Sequence, residues 1–267
     1  MIQPQIIYKY RNYTSENHQN LLFKNELFFS SPKEFNDPLD CRIPVKMDLL
    51  DSSEKIEEFA NIILEKSLKL IKENNQNPEE LKRDFINRLK TNLKGEQDFF
   101  NKVHFHFIDF RTGVISFSKE WNSTLMWSHY GDYHKGICYG LDANSLKNSG
   151  GYEFGGLIDY PIKFPEINPL KINDDETIYI QLGNKSKEWE YEKEYRIIKF
   201  FNNPIEPSDP LRKFYFKDGG IKEIILGTNF PDEKVKEIQE ISLKKNIQLF
   251  KAIKKDWDFD IHRERIS

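Results

Sequence analysis

The chain of 267 residues carries 40 basic and 43 acidic side chains, a formal net charge of −3, so it lacks the basic excess on which broad phosphate neutralisation rests. A local basic groove is compatible with that balance. Its 38% hydrophobic content, with 21 Phe and 12 Tyr, is enough to build a core and to line a cleft with rings.

Ile6 to Arg11 reads as a first strand, β-branched and aromatic, closing on a cation. Residues from about 15 to 24 have the pattern of a short helix with Leu21 and Leu22 inward, and Glu26 to Ser31 that of a strand stopped by Pro32. Phe35-Asn36-Asp37-Pro38-Leu39-Asp40 is dense in turn chemistry, since Asn and Asp bond their own backbone and Pro38 fixes φ. Two readings stand for it: a tight structural loop, which the residues alone favour, or a polar loop at a cleft mouth with Asn36, Asp37 and Asp40 facing a ligand.

From about 51 to 110 the chain reads as a helical insertion. Asp51-x-x-Glu54 has the form of a capping box, and Ile56, Phe59 and Ile63 recur at helical spacing. Asn77-Pro78 starts a second helix, with Leu81, Phe85, Leu89 and Leu93 at four-residue steps and Gly95 as its stop. A third is expected over about 96–110. His104 and His106, two apart, share no helical face, which argues against a zinc pair.

Gly113 to Ser118 returns to strand, with Ser116 and Ser118 on one face and Ile115 and Phe117 on the other; the serines need water or a ligand. Ser123 caps a short aromatic helix ended by Gly131. Core packing accounts for Leu125, Met126 and Trp127, leaving His129 and Tyr130 with chemistry to spare. Strands are expected at 136–142, within 152–164, and at 213–216, 221–227 and 247–252, with helices at about 174–184 and from Asp232.

The most unusual stretch is Trp189 to Arg196, running on to Phe201. Read as one extended strand, it places Glu190, Glu192, Glu194 and Arg196 on one face, with Tyr191, Lys193, Tyr195 and Ile197 on the other. Carboxylates in a row repel, so a cation, a polar ligand or open water must offset them. Open water is the ordinary expectation for such a stretch. The rings and the apolar strand end argue instead for an acidic edge set into a packed element.

Two distant cysteines, Cys41 and Cys138, imply no disulfide framework and a reducing compartment. The start of the chain has no basic region leading into an apolar run, and no segment approaches a membrane span, so a cytoplasmic protein without membrane contact is expected. The fold class is α+β: a single elaborated domain over residues 1–267, with a mixed or split β-sheet core and the helical insertion at about 51–110.

Four stretches occur in order: Phe35 to Asp40, Ile115 to Ser118, Met126 to Tyr130 with Lys135 to Cys138, and Trp189-x-x-Glu192-x-Glu194-Tyr195-Arg196. Together they resemble a bacterial family of unknown function, often met near phage-defence genes, across roughly residues 6–260. That resemblance implies a toxin or defence effector with an antitoxin or defence partner. A second resemblance is to mono-ADP-ribosyltransferases of the Arg/Ser/Glu type, which carry a basic residue on the first strand, a Ser-x-Ser strand and a later Glu-x-Glu. Here the set is Arg11, Ser116-Phe117-Ser118 and Glu192-Lys193-Glu194. The middle motif departs from the usual Ser-Thr-Ser, and the insertion stretches the spacing.

This second resemblance implies an ADP-ribosyltransferase-like fold, NAD as the substrate, and a macromolecular acceptor, protein or nucleic acid. It implies that Arg11 contacts the phosphates or ribose of NAD and that Ser116 or Ser118 holds the catalytic glutamate. Glu194 would stabilise the oxocarbenium-like transition state, and Glu192 would orient or deprotonate the acceptor. Tyr8, Tyr10, Trp127 and Tyr130 would stack the nicotinamide, with His129, Arg196, Asn36, Asp37 and Asp40 completing the cofactor-binding set.

Two other classes stay open. One is a non-catalytic recognition or sensor module of a defence system, using the rings and the Asp37/Asp40 loop. The other is a metal-dependent nuclease built on Asp37, Asp40, Glu192 and Glu194. It is disfavoured because Lys193 is preceded two residues back by Tyr191 and not by a carboxylate, so no metal ligand is assigned. A Ser/His hydrolase lacks its Gly-x-Ser-x-Gly elbow.

Overall fold

Alternation along β1 (Ile6–Arg11) sorts its side chains between two apolar clusters, Ile7 into one and Tyr8 and Tyr10 into the other. A computed structural model describes residues 4–172 and 175–266 of the chain. They fall into two compact units: Met1–Asn36, Asp109–Tyr160 and Lys185–Ser267 in the first, Asp37–Ile108 and Pro161–Asn184 in the second.

In the first unit, α1 (Glu16–Lys24) and β2 (Glu26–Phe28) follow β1, joined by Asn25 in the left-handed conformation at φ 52. Next come β3 (Thr112–Ser118), α5 (Thr124–His129), β4 (Ile137–Asp142), α6 (Ala143–Ser149) and β5 (Phe154–Leu157). The chain continues through β6 (Glu194–Phe200), β7 (Lys213–Tyr215), β8 (Ile221–Leu226), α8 (Asp232–Lys245), β9 (Gln248–Ile253) and β10 (His262–Arg265). The strands form a mixed sheet in the order β10-β9-β8-β4-β1-β3-β6-β5, antiparallel throughout except for β8 with β9; β2 and β7 pair apart from it. The expected α+β class with a mixed sheet is what the chain adopts.

One face of the sheet packs Ile7, Ile115, Tyr139 and Ile197 with Leu22 of α1 and Ile238 of α8. The other packs Tyr8, Tyr10, Cys138 and Ile225 against Met126 and Trp127 of α5. The second unit is built on α2 (Ser53–Glu73), α3 (Pro78–Thr91), α4 (Leu93–Arg111) as far as Ile108, and α7 (Asp175–Leu182). Phe59 centres its core, 6.0 Å from the Phe85 ring and 5.8 Å from Phe100. Residues 161–184, which patterning gave no reason to join to the helical block, belong to it.

The structure corrects several local readings. Ser52, not Asp51, caps α2, accepting from the Lys55 N–H. Gly95 does not stop a helix: α3 ends at Thr91, and Gly95 sits in the first turn of α4, its N–H bonded to Asn92 Oδ1. The Asp174 end of the expected helix lies outside the described residues. α6 and the charged edge strand β10 had no pattern to announce them.

The largest correction concerns the acidic stretch. Lys187–Glu192 is a 3-10 helix, Lys193 turns left-handed at φ 43, and only from Glu194 is the chain extended. Glu190 leaves the common face and pairs with Lys187 at 2.7 Å. The turn thereby avoids stacking three carboxylates along one strand face. No helix of the described residues is long and apolar enough to cross a membrane.

Candidate functional site

One edge of β3 is fully used by β6, in register from Thr112↔Phe200 to Ser118↔Glu194. Its other edge is shared. Ser118 pairs with Tyr8 of β1, while Val114 exchanges both backbone bonds with Ser30, at 2.9 and 3.0 Å. Between these two pairings neither neighbour reaches Ser116. Lys119 N–H donates to the Lys193 carbonyl at 2.8 Å. Antiparallel alternation then turns the odd-numbered amides of β3 toward β6 and that of Ser116 into the gap.

A cleft of about 580 Å³ opens at this gap. That is ample for a small-molecule ligand, whose sites run from roughly 300 to 1,000 Å³. Lys9 of β1, Val114 and Ser116 of β3, and Ser30, Glu34, Phe35 and Asn36 line it. His129 and Tyr130, at the end of α5, and Trp189 complete the lining. α5 is fixed by Ser123, which accepts from Met126 N–H, and by Trp127, fully buried with its indole N–H donating to the Trp121 carbonyl at 2.8 Å.

Four buried charges lie beside the cleft residues. Glu194 is 2% exposed, and Arg196 grips it twice, Nε to Oε1 at 2.7 Å and Nη2 to Oε2 at 3.1 Å. Lys185 donates to Glu192 Oε2 at 2.6 Å and lies 3.5 Å from Glu194 Oε2, with its Nζ over the Trp189 ring. Tyr130 closes the set, its hydroxyl donating to Glu192 Oε1 at 2.6 Å. Two carboxylates and two cations balance, which makes the burial tolerable.

The two carboxyls are pushed apart. Burial works against the charge of Glu194, but the Arg196 guanidinium and then Lys185 outweigh it, aided by a hydrogen bond from Ser116, and hold its pKa down at about 2. Burial raises Glu192, with Lys185 pulling the other way and the Glu194 charge adding to the rise. One carboxyl is a secure anion; the other is closer to taking up a proton.

Of the residues singled out in the sequence, Glu192, Glu194, Ser116, Ser118, Arg196, Tyr130, His129 and Asn36 come together here. Ser118 is a brace for the 3-10 helix: its hydroxyl donates to the Glu192 carbonyl at 2.7 Å and accepts from Glu120 N–H. His129 Nδ1 lies 2.9 Å from the Tyr191 hydroxyl. Tyr8, Tyr10 and Trp127 do not line the cleft. They are core, with the Tyr8 hydroxyl donating to Glu223 at 2.8 Å, that of Tyr10 to the Glu120 carbonyl at 2.9 Å, and Tyr10 edge-on to Trp127.

Arg11 is absent from the lining as well; it pairs with Ile137 of β4, and burial lowers its pKa to about 10. Asp37 and Asp40 belong to the second unit, where Asp37 Oδ1 accepts from Leu39 N–H at 2.9 Å and Asp40 Oδ1 from the Cys41 thiol. Sequence reasoning quoted Trp189 in a motif without giving it a site role, and passed over Lys9, Lys185 and Tyr160, whose hydroxyl accepts the Glu194 N–H at 2.7 Å. For Lys9 a signal existed, since it is a cation set between two tyrosines in the middle of an apolar and aromatic strand. Among the described residues no three His, Cys, Asp or Glu side chains are grouped to hold a metal ion.

Fold and site define an α+β protein whose mixed sheet parts over a cleft backed by a balanced set of buried charges. Residues 126–197 match the family model described as "Protein of unknown function (DUF2971)". The match runs from α5 to the middle of β6 and so takes in Tyr130, Lys185, Glu192, Glu194 and Arg196. No curated protein and no solved structure matches the chain.

Proposed function

We propose that the cleft binds NAD and that the protein transfers ADP-ribose from it to a macromolecular acceptor, protein or nucleic acid, as a toxin or phage-defence effector held in check by an antitoxin or defence partner. The observation that carries this reading is the register: Ser116 of β3, the strand next to β1, stands opposite Arg196 of β6 and Ser118 opposite Glu194, at the gap where the cleft opens. The Ser-x-Ser and Glu-x-Glu elements of the resemblance thus meet at one place.

The chemistry assigns each carboxyl a task. As the bond from ribose C1′ to the nicotinamide nitrogen breaks, nicotinamide leaves with the electron pair and the sugar becomes cationic. A carboxylate with a pKa of about 2 is fully charged at neutral pH and stabilises that cation. The acceptor then bonds to C1′ and gives up its proton. Glu192, with its raised pKa and its bond from Tyr130, is suited to receive it. Trp189, Phe35 and Tyr130 offer ring faces for the nicotinamide or adenine.

One observation favours a second reading, a non-catalytic recognition module: the Glu194 carboxylate is already satisfied by Arg196 and Lys185 and nearly inaccessible. Calorimetric titration with NAD, together with nicotinamide release in the presence of cell lysate, separates the two. The transferase reading expects binding by the wild type and loss of release in Glu194→Gln. No binding at millimolar NAD would sink it. Release that survives Glu194→Gln would remove Glu194 from the chemistry.

A further inference from the structure

We propose that the break in the β3 edge at Ser116 is an oxoanion site, in which the Lys9 ammonium and the Ser116 backbone N–H receive a phosphate group of the ligand. The pairing pattern creates the vacancy: Ser118 is taken by Tyr8 and Val114 by Ser30, so Ser116, which lines the cleft, has no strand partner for its peptide group on that side. A backbone N–H turned into a cleft is a fixed partial positive charge that needs no reorganisation to bind an anion.

Lys9 is placed to add an ammonium donor, whose charged form a bound anion would favour. It lines the cleft, its Nζ donates to the Ser116 carbonyl, and it lies 5.4 Å from the Phe117 ring centre. An ammonium has three donors, and that carbonyl takes one. Among the described residues no carboxylate forms an ion pair with Lys9; the nearby Glu192 and Glu194 are held by Lys185 and Arg196. Burial and the repulsion of Arg11 push its proton affinity well down, with the two glutamates partly opposing this, so its charge is under-compensated. A phosphate would relieve that. Lys9 is the one cation of the lining, while Ser30 and Asn36 add neutral donors nearby and Glu34 is the only opposing charge. The site stands without the transferase reading; that the phosphate belongs to a dinucleotide rests on it.

The test is titration of wild type, Lys9→Met and Arg11→Met with inorganic pyrophosphate and with ADP-ribose. Lys9→Met should weaken pyrophosphate binding about tenfold or more, the loss typical of a charge-assisted contact. Because a substitution in β1 also risks the fold, wild-type protein is treated in parallel with acetic anhydride, and Lys9 acetylation is followed by mass spectrometry. Pyrophosphate should slow modification of Lys9 and leave exposed lysines unchanged. Failure of pyrophosphate to bind, unprotected Lys9, or binding lost in Arg11→Met but retained in Lys9→Met would each overturn the site. Lys9-dependent pyrophosphate binding without nicotinamide release would leave the site standing and reject the transferase. NAD cleavage with ligand binding indifferent to Lys9 would do the reverse.

Discussion

Replacing Arg196 with Met leaves a buried carboxylate short of its main counter-charge, and the structure sets the scale of the effect. The guanidinium makes two hydrogen bonds to Glu194, and the residues are 1% and 2% exposed. Breaking a buried pair by removing one partner costs about 3–5 kcal/mol, because the remaining charge stays buried. The pH dependence identifies the cause. In the wild type Glu194 has a folded pKa of about 2, below its ordinary value, so its contribution is present above the unfolded pKa and is lost as pH falls toward 2. That contribution is up to about 3 kcal/mol. In the variant burial prevails and the folded pKa rises above the unfolded one. The sign then reverses: the variant is penalised at neutral pH and recovers relative to the wild type as pH falls through the raised pKa. Urea unfolding of both proteins from pH 7 to pH 5 measures this. A deficit below about 1 kcal/mol at pH 7, or one that does not shrink on acidification, would show that Glu194 is not held as a buried anion by Arg196.

Tyr130→Phe removes the hydroxyl bonded to Glu192 and keeps the ring; a loss of about 1–3 kcal/mol in urea unfolding is expected, and no loss would mean that water replaces the hydroxyl without cost. Gly136→Ala would place a Cβ 2.3 Å from the Arg11 carbonyl and 2.8 Å from that of Gly131. Backbone atoms cannot yield as a flexible side chain does, so β1 and β4 must separate, at a cost of about 2 kcal/mol or more. A neutral effect on the unfolding midpoint would refute so tight a contact.

Local pattern made most elements legible. Asn77-Pro78 and Ser123 mark helix starts that the structure keeps, and alternation in β3 separates Ser116 and Ser118 from Ile115 and Phe117. The pairing that makes the site was not legible. Nothing in 189–196 signals a left-handed Lys193, an uncommon state for a residue with a Cβ that tertiary contacts must impose. Lys185 lies seven residues before Glu192, and only the 3-10 turn between them brings its ammonium onto both glutamates. The β1 tyrosines show a different failure. Their common face followed from alternation, but whether it turns to core or cleft depends on α5 and β8, which pattern does not place.

The balance of the buried charges restricts how the site can act. Lys185 and Arg196 cancel Glu192 and Glu194, so at a distance the set presents little net field, and it adds little to long-range steering of a ligand. At contact it differs. A cation 4 Å from one carboxylate oxygen gains about 4 kcal/mol at an effective dielectric of 20, and the more distant cations return only part of that. Replacing such a set by apolar side chains of similar volume is often neutral or stabilising, so stability alone is a weak reason to keep four buried charges beside a cleft. A secure carboxylate behind Ser116 and a more basic one behind Tyr130 make sense if a reacting group must touch them in turn. On that argument a ligand gains from Glu194 only after it enters the gap at Ser116, and the affinity that brings it there must come from the cleft walls and from Lys9.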